Sequence, residues 1–447
     1  MLMLGAHESV ADERGETMPV PAPTDRLIKE VNWILHADQA HAERMAHGGV
    51  QPESAQSRMA DGPRGLNAVA YPRDWQDRGA VDFLCKAGQL LVHDADLERV
   101  RQALAGARTD VNVADSLFNG VTLLDVDAEV DDAINVIEAE HGTGVATPNH
   151  VLYVTPTGSP CPATEPDEPG STEPWPALQK DDDGRGVRVA VVDTGFLQGW
   201  ESRAQTPWLN GIEEYDIDMP DVLAPAGYID PYAGHGTFVA GVVRCIAPQS
   251  EVTVDGVIQI AGAIDEASMV KQLVEALAKS PDVISFSAGT YTHNNVPPKA
   301  FTALWEKHLR HHKGVVLVAA AGNNESRQPF WPAAFPWAVS VGALTADGRE
   351  RAEFSNHGGW VDVYAPGVDI VNAYCEGEYR LLLEPNVVRT FDGMCKWSGT
   401  SFSTPIVAGL IAARMSRTGE NGRQAADALL EAARGQFLPG VGPRLLP

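Results

Sequence analysis

Cysteine is scarce in this sequence: Cys85, Cys161, Cys245, Cys375 and Cys395 are spread over 447 residues. So few and so scattered, they do not form a disulfide framework, and an odd number leaves at least one thiol unpaired within a monomer. Long apolar runs are missing too. The longest, such as residues 315–321, fall far short of the ~20 residues that crossing a bilayer requires. Basic charge is in deficit, with 34 Lys and Arg against 60 Asp and Glu and a formal net charge of -26. Phosphate backbones are held by Lys/Arg-rich faces that release counterions, so no nucleic-acid partner is expected, and no membrane partner either. The N-terminus, MLMLGAHESVADERGE, turns acidic early and lacks a basic region followed by an apolar stretch, so it does not read as a secretory signal. The expectation is a soluble protein, cytoplasmic or exported by an unconventional route.

What is present divides the chain into four parts. Residues 1–80 form an extension with one amphipathic helix over 24–47, where Leu27, Ile28, Val31, Ile34 and Leu35 recur at helical spacing; its plain reading is a docking helix. Residues 81–156 alternate short apolar runs with helical stretches and read as a small α+β unit. Residues 157–186 are rich in Pro, Gly, Ser, Thr and acid, as in TPTGSPCPATEPDEPGSTEP, and predict an exposed linker with too little apolar surface to order itself. From 187 to 447 strongly apolar runs (VRVAVVD, DVISFS, GVVLVAAAG, WAVSVGAL) alternate with helical segments (GTFVAGVV, TPIVAGLIAARM). That pattern predicts an α/β domain, a doubly wound and mostly parallel sheet buried on both faces.

Three of those apolar strands end in a polar residue: Asp193, Ser287 and, two positions on, Asn323. In open α/β sheets ligands bind outside the carboxyl ends of the strands, so an acid, a hydroxyl and an amide converge on one crevice. Any one of them alone is equally a turn or helix-cap residue. His235, between Gly234 and Gly236, opens a helix of small and apolar residues, which fixes the imidazole as a general base requires, although a lone histidine there can equally be structural. Ser401, in GTSFSTPIVAG, stands at a helix N-terminus whose free N–H groups favour negative charge on a bound carbonyl oxygen, or it is an N-cap.

The segments VAVVDTG, GHGTFVAG and GTSFSTPIVAG, in that order, resemble the three signatures of the subtilisin-like serine proteases. ISFSAGT is similar to the family's substrate-binding strand, VAAAGNN to its oxyanion segment, and FSNHGGWVDVYAPGVDI to the stretch before the serine. The resemblance implies a serine endopeptidase acting on protein or peptide through an acyl-enzyme, with Ser401 as nucleophile, His235 as base and Asp193 orienting it. It also implies an oxyanion donor at Asn323, and a substrate cleft formed by Ser287, Ala288, Gly289 and Gly322, with Phe330 flooring the pocket for the residue before the cut. A bulky Phe330 predicts a shallow pocket that takes small or modest side chains. Residues 84–156 resemble the family's inhibitory propeptide, a ferredoxin-like α+β domain, which implies a zymogen cut near the linker and a partner contained in the chain itself.

No cofactor is implied for the chemistry. Structural calcium is a property of many relatives, yet Asp181, Asp182 and Asp183 are as readily a solvated linker, and no metal ligands are assigned. His308, His311 and His312 have a spacing that on a helix would share one metal, but a solvated basic face explains them as well. Cys375 and Cys395 bracket a loop before Ser401 that a disulfide would staple, if the compartment allows one.

Overall fold

The computed structural model describes residues 23–36, 66–118, 120–154, 163–179, 183–214, 217–218, 228–229, 231–258, 262–382 and 384–447. The first helix, α1 (Pro23–Leu35), covers the start of the amphipathic stretch; residues 37–47 lie outside the described ones. An isolated helix this short is marginal in water. Val31 and Ile34 are buried in a cluster with Leu84, Tyr153, Tyr291 and Phe330, and that docking holds it.

The small unit follows the order β1 (Ala68–Tyr71), β2 (Phe83–His93), α2 (Leu97–Gly106), β3 (Val111–Leu117), β4 (Val121–Val126), α3 (Val130–His141) and β5 (Ala146–Tyr153). Strands β2 to β5 pair antiparallel in the spatial order β5-β2-β4-β3, the ferredoxin-like arrangement, with β1 added on β2. Leu90, Val100, Leu104, Ile134 and Ile137 fill a core of its own.

The larger unit contains β6 (Arg188–Asp193), α4 (His235–Ile246), β7 (Glu251–Gly256), β8 (Ala263–Asp265), α5 (Glu266–Ala278), β9 (Val283–Phe286), α6 (Lys299–Lys307), β10 (Val316–Ala320), β11 (Ala338–Leu344), β12 (Val363–Pro366), β13 (Ile370–Arg380), β14 (Val388–Trp397), α7 (Thr400–Thr418) and α8 (Gly422–Arg434). Its main sheet runs β12-β11-β10-β9-β6-β7, every pair parallel, with Glu213–Glu214 on the far edge. Strands covered on both faces are strongly apolar, and β9, β10 and β11 are buried throughout, with Ser285 and Ser340 their only polar side chains. Helices α4 and α7 pack against each other. A Cβ on Gly236 would overlap the backbone of Gly195, so only glycine lets α4 begin this close to the turn after β6.

One expectation is corrected and two open questions are answered. Residues 163–179 are not an exposed linker: the backbone of Asp167 exchanges both hydrogen bonds with Lys396 at 2.8 and 2.9 Å, and that of Trp175 exchanges both with Val371 at 2.8 and 3.1 Å. Low apolar content does not prevent ordering when a neighbouring sheet edge supplies the backbone partners. Cys375 and Cys395 are buried thiols that no disulfide joins, because β14 places Cys395 opposite Asn372 while Cys375 falls in the irregularity between Ala373 and Glu376. His308, His311 and His312 do not share a helix face: α6 ends at Lys307, a single 3-10 turn follows, and His308 packs edge-on to Phe118 at 4.7 Å.

Candidate active site

Strands β10, β9 and β6 are adjacent and parallel, so their carboxyl ends open on one edge of the sheet. Asp193 ends β6, Ser287 directly follows β9, and Asn323 stands in the turn after β10. His235 is the first residue of α4, after Gly234 at φ 78°, a left-handed conformation that glycine adopts without a Cβ penalty. Its Nδ1 lies 2.6 Å from Asp193 Oδ1, and both side chains are fully buried. The same oxygen accepts the Thr194 N–H at 2.7 Å, and Thr194 Oγ1 accepts the Gly236 N–H at 3.0 Å, which ties the acid-bearing turn to the start of α4. With Nδ1–H donating to a carboxylate, the lone pair of the ring lies on Nε2, which is buried and has no hydrogen-bond partner among the described residues. Trp397 stands edge-on to the imidazole at 5.6 Å and Phe402 tilts against it at 5.5 Å, so the ring sits in an apolar wall where its pairing with the acid is weakly screened.

Ser401 lies in the first turn of α7, one residue after Thr400, and is buried. Its Oγ donates to the Ser287 carbonyl at 3.4 Å rather than to the imidazole, and Ser287 Oγ donates to the Ser401 carbonyl at 3.0 Å. Asn323 Oδ1 accepts from both the N–H and the hydroxyl of Thr400 at 2.8 Å, which fixes the amide so that its NH2 faces away from that residue.

The turn carrying Asn323 is held by a residue to which sequence reasoning gave no role. Asn356 donates to the Ala321 carbonyl at 2.7 Å and to the Tyr291 hydroxyl at 2.9 Å, while its Oδ1 accepts the N–H groups of Asn324 and Ser326 at 3.0 and 2.9 Å. Burial pushes the Tyr291 phenol up to about 12, with the Asn356 bond opposing the shift. Asn356, Thr400 and Thr194 all fall inside the motif segments, where their proximity to the named residues was the available signal.

Ser287, Ala288 and Gly289 form a buried edge, and that edge is occupied. Tyr153, at the end of β5, donates its N–H to the Gly289 carbonyl at 3.0 Å and accepts the Gly289 N–H at 3.1 Å. On its other side β5 pairs antiparallel with β8, so the end of the small unit lies as a middle strand between two edges of the larger one. Phe330 is buried against Gly289 and Gly322, where a Cβ on Gly289 would overlap the ring; Tyr291 meets it at 5.1 Å and Tyr153 at 6.1 Å between centroids. Among the described residues no group of three His, Cys, Asp or Glu is placed to hold a metal, and no helix is long and apolar enough to cross a membrane.

Residues 184–440 match the model of the subtilase family, peptidase S8. The chain is 31% identical over 262 residues to the thermophilic serine proteinase of Bacillus sp. (strain AK1), covering 56% of each, so it spans only about half of that relative's length. It is 30% identical over 252 residues to the intracellular serine protease of Paenibacillus polymyxa, covering 53% of this chain and 69% of that one. Over 257 residues it is 29% identical to thermitase of Thermoactinomyces vulgaris, covering 54% of this chain and 80% of that one. Fervidolysin from Fervidobacterium pennivorans, described as a keratinolytic enzyme related to subtilisin, shares the fold with a TM-score of 0.55 at 20% identity, over 81% of this chain and 60% of that one. A family match across more than half of the chain, over a sheet edge where Asp193 is bonded to His235, establishes that this protein belongs to the subtilases, the S8 family of serine peptidases.

Proposed function

We propose that the chain is a serine endopeptidase that hydrolyses protein or peptide substrates through an acyl-enzyme, and that it is made as a self-inhibited precursor. The buried Asp193–His235 pair, with a bare Nε2 beside the helix that bears Ser401, carries this reading. Ser401 Oγ forms a bond to the scissile carbonyl carbon as its proton passes to His235 Nε2. Collapse of the tetrahedral intermediate breaks the C–N bond, and the imidazolium returns the proton to the leaving amine. Water then repeats the sequence on the ester. Asp193 stabilises the imidazolium without accepting the proton, and Asn323 with the Ser401 N–H meets the oxyanion. No cofactor takes part.

The small unit supports the precursor reading. Its last strand occupies the edge at Gly289 that an extended substrate would use. It is anchored at the start of α5, where Asn149 accepts the Ala267 N–H at 3.1 Å and His150 Nδ1 meets Glu266 at 3.1 Å, all buried. The filled space between Gly289 and Gly322 supports a preference for small side chains before the cut.

A fluorophosphonate probe tests the reading. The form released from residues 81–156 labels at Ser401, the Ser401→Ala variant does not, and the labelled protein has lost its hydrolysis of peptide arylamides. An active form that still carries the small unit, with no cut between residues 154 and 187, refutes the precursor reading while leaving the peptidase.

A further inference from the structure

Two edges flank Ser401, and the chain lies on both. Upstream, Tyr153 pairs with Gly289; downstream, Ala163 donates its N–H to the Ser398 carbonyl at 3.0 Å and Asp167 pairs with Lys396. The second edge is the end of β14, which leads directly into the nucleophile helix. It lies on the leaving-group side for a chemical reason. The base that hands a proton to the leaving amine must stand on that side, and Trp397, which stands against the His235 ring, donates its Nε1–H to the Thr164 carbonyl at 2.7 Å.

Resting on the serine-peptidase reading, we propose that residues 163–167 form a permanent strap across the leaving-group half of the cleft, which limits how much polypeptide a substrate can carry beyond its scissile bond. The strap has the anchorage of a structural element. Glu165 is buried, with its carboxylate accepting from the Tyr379 hydroxyl at 3.0 Å and from the Leu382 N–H. Leaving those donors unpaired, or withdrawing the carboxylate, carries the full penalty of an unmade buried bond. Arg389 donates to the Pro166 carbonyl at 2.6 Å, and Asp167 lies 3.5 Å from both Arg389 and Lys396. Trp175 holds the segment further along, and the chain then continues into β6. A cut upstream of Ala163 therefore frees the small unit and leaves the strap in place. The backbone groups of Lys396 in β14 and of Ser398 just beyond it, which would otherwise pair with the residues of a substrate after the cut, are taken by the enzyme's own chain.

The test uses the active form and substrates with one common acyl part, whose leaving group is an arylamine, one residue, two residues or four. With the strap in place, kcat/KM for the four-residue leaving chain falls about tenfold below that for one residue. In Glu165→Ala, and separately in Ala163→Pro, which removes the N–H that meets Ser398, the ratio between those substrates closes to about twofold. Amide exchange supplies a readout that needs no variant: the N–H groups of residues 163 and 167 stay protected after maturation. Rates that climb with leaving-chain length in the unaltered enzyme, or exchange protection that vanishes on activation, overturn the strap. If no arylamide is hydrolysed at all, the peptidase reading fails instead, and the exchange measurement still decides whether the strap persists.

Discussion

Ser287 Oγ donates to the Ser401 carbonyl at 3.0 Å, and that carbonyl is available because the residue four positions on in α7 is Pro405. An ordinary residue at 405 would bring the N–H that closes the helical bond to Ser401; proline has none. The side chain after β9 therefore completes the first turn of the nucleophile helix. Ser287→Ala leaves a buried carbonyl unsatisfied and lowers stability by about 1–3 kcal/mol. Urea unfolding shows this as a lower midpoint with an unchanged slope.

Asn323 is anchored by its oxygen, and in its proposed role the NH2 meets charge that develops on the substrate oxygen only in the transition state. Asn323→Ala reduces kcat by about 10²–10³, a magnitude carried over from the same donor in subtilisin, with KM little altered. Steady-state kinetics on an arylamide substrate separate the two parameters. An equal loss expressed through KM alone contradicts the assignment.

Phe330 packs into the space between Gly289 and Gly322. Replacing it with glycine empties the volume between those two glycines, and on the proposed reading substrates with Phe or Leu before the cut gain about 10-fold or more in kcat/KM relative to those with Ala. A peptide-library cleavage profile of the two proteins reads the change. Preferential cleavage after Phe, Tyr or Lys by the unaltered enzyme contradicts the shallow pocket.

Tyr291 imposes an alkaline limit. An unfolded phenol ionises near 10.0 and the folded one only at about 12, because burial disfavours the phenolate. The folded state thus holds a proton that the unfolded state gives up. The stabilisation from the neutral phenol is complete below pH 10.0 and is lost as pH rises toward about 12. Unfolding free energies measured across that interval decline, and Tyr291→Phe removes about one proton from the slope. An unchanged slope refutes the contribution.

The parallel sheet was legible because strands buried on both faces are strongly apolar, as VLVAA over residues 316–320 is at every position. The element-boundary positions of Asp193, His235 and Ser401 were legible for a different reason, since each lies inside a long motif. The strand role of residues 163–167 was not. Their order comes from the edge of β14, a partner more than two hundred positions away, and composition carries no record of a distant edge. The Cys375–Cys395 staple stayed open because spacing says nothing about register: Cys395 falls opposite Asn372, and Cys375 lies in the irregularity of β13. Asn356 escaped because three of its four bonds run to the backbone, which no side-chain pattern reports.

The helix that bears Ser401 is buried along most of its length and packs against α4, α8 and strands β9 to β12. An attacking oxygen mounted on so central an axle cannot work loose while the rest of the catalytic unit stays whole. Heat inactivation and collapse of the unit should accordingly share one midpoint, with no interval in which a folded enzyme has lost its chemistry.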